Sequence, residues 1–187
     1  MLYTRNSYGE SILMSVQMVK EKIRDVIDFP VKGIVFKDIT TAIKDPEALR
    51  QIIHYLTEKF IDKKIDYVAG IESRGFIFGA AVACNLNAGF VLIRKPGKLP
   101  AETISQDYDL EYGTDTIQMH KDAIEPGKNV LVIDDLLATG GTVEASCKLI
   151  KKTGANIVAA AFVIELDDLK GRDKLPQDIE VVSMIRY

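Results

Sequence analysis

The chain lacks a positive excess, has few cysteines and histidines, and carries no long apolar run. Its formal net charge at pH 7 is −3, whereas a general nucleic-acid binder would show a basic face. The two cysteines, Cys84 and Cys147, fall in predicted helices among small or apolar neighbours. That setting predicts small buried hydrophobes rather than a disulfide or a nucleophile. His54 and His120 share no metal-ligand spacing with each other or with cysteine, so neither is assigned a catalytic or metal role. The longest apolar run, residues 157–164, is eight residues long, far short of a bilayer span. Residues 1–13 include Arg5 and Glu10 and contain no apolar h-region, so they do not read as a secretory signal. A cytoplasmic protein that spans no membrane is the resulting expectation. Neither the Gly-x-x-x-x-Gly-Lys-Ser/Thr nucleotide loop nor the Gly-x-Gly-x-x-Gly dinucleotide fingerprint occurs.

What is present is ordinary in bulk and specific in pattern. With 187 residues, 47% apolar and 27% charged, the chain is long enough for one globular domain with a substantial core. Residues 1–13 show no periodicity and are expected to form a poorly ordered N-terminal extension, leaving residues 14–187 as a single domain. Val16, Val19, Ile23, Val26 and Ile27 recur at helical spacing and predict a first helix, stopped by Phe29-Pro30. A second helix is predicted over residues 46–60, with Asp45 as N-cap and Pro46 at the first helical position. From there apolar strands alternate with helices. Strands are expected at 66–71, 89–93, 130–133, 157–164 and 179–185, and helices at 76–86 and 143–152, the latter stopped by Gly154. Near-continuous apolar strands separated by helices predict an α/β fold with a parallel sheet covered on both faces. Between 95 and 115 the pattern breaks into a polar stretch punctuated by Pro96, Gly97, Pro100 and Gly113. With Tyr108, Leu110 and Tyr112 in it, this stretch reads as a lid rather than a bare linker.

Residues 130–142 are the most informative segment. Four apolar residues, Val130 to Ile133, suit a buried strand. Asp134 and Asp135 follow, and Ala138, Thr139, Gly140, Gly141 and Thr142 lead into a helix. A strand, a Gly-rich turn and a helix start converge backbone N–H groups on one point and make an anion cradle. Two carboxylates beside that cradle suit hydroxyls or a hydrated cation, so the ligand carries both a phosphate and a diol: a phosphorylated sugar. Turn and cap preferences explain Gly140, Gly141 and Thr142 singly, but they do not explain the acid pair. Basic residues after two other predicted strands extend the site. Arg74 lies in Glu72-Ser73-Arg74-Gly75, and Arg94, Lys95 and Lys98 follow the strand at 89–93. Arg and Lys are what a polyphosphate demands, although Lys98 reads equally as solvated surface charge. In parallel sheets ligands sit at the carboxyl ends of the strands, which places the three segments on one rim.

Residues 130–142 resemble the phosphoribosyl-pyrophosphate signature of the type I phosphoribosyltransferases. The branch that acts on adenine is the most similar. The likeness extends to Phe29-Pro30, to 33–40, to 69–76, to Arg94-Lys95-Pro96-Gly97-Lys98-Leu99-Pro100 and to Leu110-Glu111-Tyr112-Gly113. One departure is Thr41-Ala42, where the family often has Pro-Leu.

The resemblance implies a type I phosphoribosyltransferase fold: a central, mostly parallel sheet flanked by helices, with a flexible lid or hood loop. It implies a purine-salvage transferase that moves 5-phosphoribosyl from its 1-pyrophosphate to N9 of adenine, giving AMP and pyrophosphate. Asp134, Asp135, Ala138, Thr139, Gly140, Gly141 and Thr142 would hold the phosphoribose. Glu72, Ser73, Arg74, Arg94, Lys95 and Lys98 would form the pyrophosphate site, with a non-proline cis peptide bond at Glu72–Ser73. The backbone of Val35 and Lys37 would read the base and Phe36 would stack on it, although on residue type alone Phe36 reads as core. Glu111 would be the catalytic acid/base, better placed by motif than Glu102; on residue type alone it reads as a solvated lid carboxylate. The resemblance also implies Mg²⁺ carried by the substrate with no direct protein ligand, and a homodimer. Two alternatives stay open: transfer to hypoxanthine, guanine or xanthine, and a non-catalytic purine-responsive regulator of the same fold. The regulator would need a DNA-binding module, and the roughly 28 residues before Phe29 show one helix and no basic cluster.

Overall fold

A computed structural model of the chain describes residues 5–109 and 113–187. The chain divides into two compact units, one ending at Tyr55 and the other beginning at Leu56.

The first unit opens with helix α1 (Arg5–Lys22), whose last turn carries Lys20 and Lys22, charges that suit a helix C-terminus. The helix begins at Arg5, within residues that show no period in the sequence. It also stops earlier than the helical spacing suggests. Arg24–Ile27 forms strand β1, which pairs antiparallel with β2 (Val35–Asp38). The helical reading of Val26 and Ile27 is therefore corrected. The reason is long-range pairing: Arg24 faces Asp38 and Asp25 faces Lys37 across the hairpin, and both pairs are ion-paired. Asp28 (φ 59°) and Gly33 (φ 93°) shape the connecting loop, and the Gly33 N–H donates to Asp28 Oδ1 at 2.7 Å. The Phe29–Pro30 peptide bond is cis. A short helix α2 (Thr40–Ile43) leads to α3 (Pro46–Glu58). Asp45 caps α3 as expected: its Oδ1 accepts from the N–H groups of Glu47 and Ala48 at 3.1 and 3.0 Å.

The second unit is built on a five-stranded sheet in the order β4-β3-β7-β8-β9. Its strands are β3 (Tyr67–Ile71), β4 (Gly89–Ile93), β7 (Asn129–Leu137), β8 (Asn156–Glu165) and β9 (Glu180–Arg186), and every adjacent pair is parallel. Helices α4 (Gly75–Asn85) and α5 (Gly141–Lys151) follow β3 and β7. Val68, Val91, Val132, Ala160 and Phe162 lie buried in the strands, with Val82 on α4 and Val143 and Leu149 on α5 also buried. Helix α5 ends near Gly154 at φ +78°, a backbone conformation that glycine adopts at no steric cost.

Three expectations change here. The stretch after 95 is not without strands: β5 (Thr103–Asp109) and β6 (Thr114–His120) form an antiparallel hairpin, whose Ile117 and Met119 are buried. The signature strand does not stop at Ile133. β8 is ten residues long, and β7 pairs with it as far as Leu137↔Glu165, whereas its pairing with β3 ends at Gly70↔Ile133. Asp134 to Leu137 therefore project past the end of β3, still held on their other side. Third, Cys147 is buried but Cys84 is exposed, because α4 turns that position outward.

Candidate active site

The sheet order reverses direction between β3 and β7: the chain runs from β3 to β4 on one side, and from β7 through β8 to β9 on the other. Such a switch point leaves a crevice at the carboxyl ends of the strands. Residues 72–75 leave β3 into that crevice, next to the overhanging end of β7. Gly75 lies so close that a Cβ there would come within 2.7 Å of the Ile133 carbonyl and 3.0 Å of Asp134 Oδ1. The Glu72–Ser73 peptide bond is cis, as the resemblance implies.

Carboxylates and cations alternate around the crevice. Asp134 and Asp135 are consecutive on a strand and so point to opposite faces. Asp135 is buried at 5% exposure, and Arg74 Nε donates to its Oδ2. Asp134 is half-buried, and its Oδ1 accepts from the Asp135 N–H at 2.9 Å. Burial pushes the Asp134 carboxyl well above its usual range, and the neighbouring Asp135 charge adds to the rise. Glu72 is held by Arg94 in a fork, Nε to Oε2 at 3.2 Å and Nη2 to Oε1 at 2.9 Å, and also accepts from the Lys95 N–H at 3.0 Å. These bonds, the Arg94 guanidinium first, keep Glu72 below its usual value against the opposing effect of burial. Arg94 Nη1 also donates to the Lys98 carbonyl at 3.1 Å, and the guanidinium lies 5.8 Å from the Phe76 ring centroid.

Lys95 turns toward the hairpin. Its Nζ donates to Asp115 Oδ2 and to Tyr108 Oη, the latter at 2.9 Å. Burial alone would lower the Lys95 ammonium, but the Asp115 and Tyr108 contacts outweigh it and raise it. The sequence marks Tyr108 as a lid residue but gives no sign of Asp115. That partner is visible only once β5 and β6 pair Tyr108 with Asp115 across the hairpin.

The loop after β7 is a backbone cradle. Gly140 adopts φ 80°, and α5 begins without a side-chain cap. Gly140 and Gly141 are buried, Ala138 and Thr142 are half-buried, and Thr139 is exposed. With no side chain bonded at its start, the first turn of α5 presents N–H groups and positive dipole to an anion. The structure thus brings Glu72, Arg74, Arg94, Lys95, Asp134 and Asp135 to the ends of β3, β4 and β7 at the crevice in two bonded sets, Arg74 with Asp135 and its neighbour Asp134, and Arg94 and the Lys95 N–H with Glu72. Ser73 and Lys98 are exposed at the margin of the crevice.

The remaining expected residues belong to other parts of the chain. Val35, Phe36 and Lys37 form β2 in the first unit. Phe36 is half-buried and meets Phe29 edge-on at 5.2 Å, while Lys37 Nζ bonds Asp25 Oδ1 at 2.8 Å. Glu111, with Leu110 and Tyr112, falls outside the described residues. Among the described residues no three His, Cys, Asp or Glu side chains gather as a metal cage, and no helix is long and apolar enough to cross a membrane.

Comparison with known proteins identifies the family and the fold. The phosphoribosyl transferase domain family matches residues 40–186. The adenine phosphoribosyltransferase of Clostridium botulinum (strain Alaska E43 / Type E3) is 57% identical over 169 residues, 90% of this chain and 98% of that protein. The crystal structure of the adenine phosphoribosyltransferase from Rhodothermus marinus superposes with a TM-score of 0.89 at 50% identity, covering 94% of this chain and 99% of that one. The Saccharomyces cerevisiae enzyme, solved with an imino-altritol bisphosphate and adenine, superposes with a TM-score of 0.87 at 40% identity, covering 92% and 99%. Family match, relatives and fold agree: the chain belongs to the adenine phosphoribosyltransferases, within the phosphoribosyl transferase domain family.

Proposed function

We infer that this chain is a purine-salvage enzyme that transfers a 5-phosphoribosyl group to N9 of adenine, releasing pyrophosphate and giving AMP. The observation that carries the reading is the joining of three strand ends into one site: Arg74 to Asp135, Arg94 to Glu72, and the backbone cradle that opens α5. In this reading Ala138 to Thr142 hold the 5′-phosphate through backbone N–H groups and the Thr139 and Thr142 hydroxyls. Asp134 and Asp135 face the ribose hydroxyls. The protonation that burial favours at Asp134 relieves the repulsion between the two acids until a donor arrives.

Glu72, Ser73, Arg74, Arg94, Lys95 and Lys98 form the pyrophosphate region. Arg94 is already oriented by Glu72, so it meets an anion with less ordering left to pay. In the transfer the bond from C1 to the pyrophosphate oxygen breaks, and the electron pair leaves with the pyrophosphate. N9 bonds to C1 and its proton passes to a base, for which we propose the Glu111 carboxylate. Charge on the leaving group is met by fixed cations, the kind of help that dominates most enzymatic barriers.

For the base we propose contact with β2. Its hairpin has only two strands, so among the described residues one edge of β2 carries no strand. In this proposal the backbone of Val35 and Lys37 reads the edge of a flat heterocycle beside the Phe36 ring. Mg²⁺ fits the donor set: two adjacent carboxylates suit a hydrated ion carried by the substrate and need no closed protein cage. When bound, it would neutralise pyrophosphate charge. Further proposals are a hood role for the β5–β6 hairpin, a homodimer and a cytoplasmic location, the last in keeping with two free thiols.

The test is turnover with Mg²⁺, phosphoribosyl pyrophosphate and each purine in turn. AMP from adenine, with little product from hypoxanthine, guanine or xanthine, is expected. Preference for a 6-oxopurine would overturn the base assignment, and tight donor binding without turnover would favour a regulator.

A further inference from the structure

Behind the phosphate loop lies a feature the transfer chemistry does not use. After β8 the chain makes two short 3₁₀ turns, Asp167–Leu169 and Gly171–Lys174, joined by Lys170 at φ 51°. Gly171 comes to rest directly against the loop. A Cβ on Gly171 would collide with the Ala138 carbonyl oxygen and lie 2.9 Å from the Gly140 nitrogen. In return, a Cβ on Gly140 would collide with the Gly171 carbonyl oxygen and lie 3.0 Å from its Cα. Two backbones are thus in contact with no side chain between them, a spacing that only a pair of glycines permits.

The segment that carries Gly171 is tied down on every side. Glu165, 3% exposed at the end of β8, receives Arg172 in a fork, Nε to Oε1 at 2.9 Å and Nη2 to Oε2 at 2.6 Å. Arg172 Nη1 reaches across to the Val181 carbonyl at 2.8 Å. The Leu166 N–H extends the ladder to the Leu137 carbonyl at 2.9 Å, and Arg186 Nε holds Asp167 at 2.8 Å. A buried charge pair of this kind is weak support for stability, because desolvation offsets much of its attraction. Its fixed geometry is what it supplies.

We propose that Gly171 is a positioning residue for the 5′-phosphate, with Glu165 and Arg172 as the clamp that holds it; this rests on the reading of residues 138–142 as the phosphate loop. Gly171 forms the rear wall of that loop and sets where the Ala138–Gly140 N–H groups point. The cradle binds mainly through backbone N–H groups, helped by the Thr139 and Thr142 hydroxyls, so its precision depends on what stands behind it. A methyl group at 171 must push the two segments apart, and the displaced N–H groups then meet the phosphate off line.

The experiment measures KM for phosphoribosyl pyrophosphate, KM for adenine and kcat in Gly171→Ala, Glu165→Gln and Arg172→Lys, with Thr142→Ala as a direct probe of the loop. Folding of each is checked by circular dichroism. Misplacement on the ångström scale costs up to about a hundredfold, so donor KM in Gly171→Ala is expected to rise at least about tenfold. Adenine KM should stay near wild type, and the two clamp variants should follow with smaller rises. If Gly171→Ala does not fold, the clamp variants carry the test alone. Wild-type donor KM in the folded variants, while Thr142→Ala raises it, would overturn the inference and leave the loop reading intact. Wild-type donor KM in Thr142→Ala as well would overturn the loop reading and the inference with it. Equal worsening of both KM values and kcat would show a merely structural role and contradict the proposal.

Discussion

Asp134 and Asp135 sit one bond apart in sequence and differ in what they are free to do. Asp135 is buried with Arg74 as its partner, while Asp134 is raised by burial and by its neighbour's charge. A carboxyl whose folded value lies above its ordinary 3.8 binds a proton more tightly in the folded chain. It therefore costs nothing at low pH, where both states are protonated, and costs stability as pH rises above the unfolded value. Asp134→Asn keeps the Oδ1 acceptor for the Asp135 N–H but removes this cost. Its melting temperature is expected to exceed wild type at pH 7, with the gain shrinking as pH falls toward the ordinary carboxylate value and gone below it. A gain that is independent of pH would contradict the assignment.

The thiols separate in the same way. Burial pushes Cys147 up to about 12, while Cys84 is exposed. A thiol reagent at neutral pH is expected to modify the native chain once, at Cys84, and twice only after unfolding. Rapid double labelling of the native chain would contradict it.

At the scale of elements, pattern and burial explain what the sequence discloses. The parallel strands are apolar along their length because helices cover both faces, so 89–93 was readable to its ends and the others to within a few residues. Hairpin β5–β6 was not readable. Its inward positions on β5 include Gln106 as well as Ile104 and Tyr108, so no apolar alternation marks it. Val26 and Ile27 fell in with a helical period by coincidence, and the cross-hairpin ion pairs that make them strand are invisible to local spacing. The overhang of β7 is set by the length of β8, a tertiary fact. It is also what lets 72–75 approach the acid pair. Gly75→Ala probes that approach: the added methyl meets the Ile133 carbonyl and Asp134, and overpacking of this kind costs about 1–3 kcal/mol. A chemical denaturation midpoint unchanged from wild type would show that the two segments have room to spare.

For the whole molecule, the residues of the candidate site were legible as types following strands, because phosphate and diol chemistry restricts the choice to Gly, Thr, Asp, Arg and Lys. Their partners were not. Glu72 with Arg94, Lys95 with Asp115, and the Gly140–Gly171 contact join segments far apart in sequence, and only the folded sheet brings them together. Base contact at Phe36 and proton transfer at Glu111 rest on resemblance. Glu111→Gln is expected to lower kcat at least about a hundredfold with donor binding retained, within the range for general acid–base groups; a near-wild-type rate would remove Glu111 from the reaction. The claim on which everything else depends is that residues 134–142 hold the phosphoribose. Calorimetric titration of phosphoribosyl pyrophosphate with Mg²⁺ into wild type and Asp135→Asn tests it without turnover. Removing a charged hydrogen-bond partner costs about 1.5–3 kcal/mol, so a Kd at least about tenfold weaker is expected in a variant that still folds. An unchanged Kd would contradict the account.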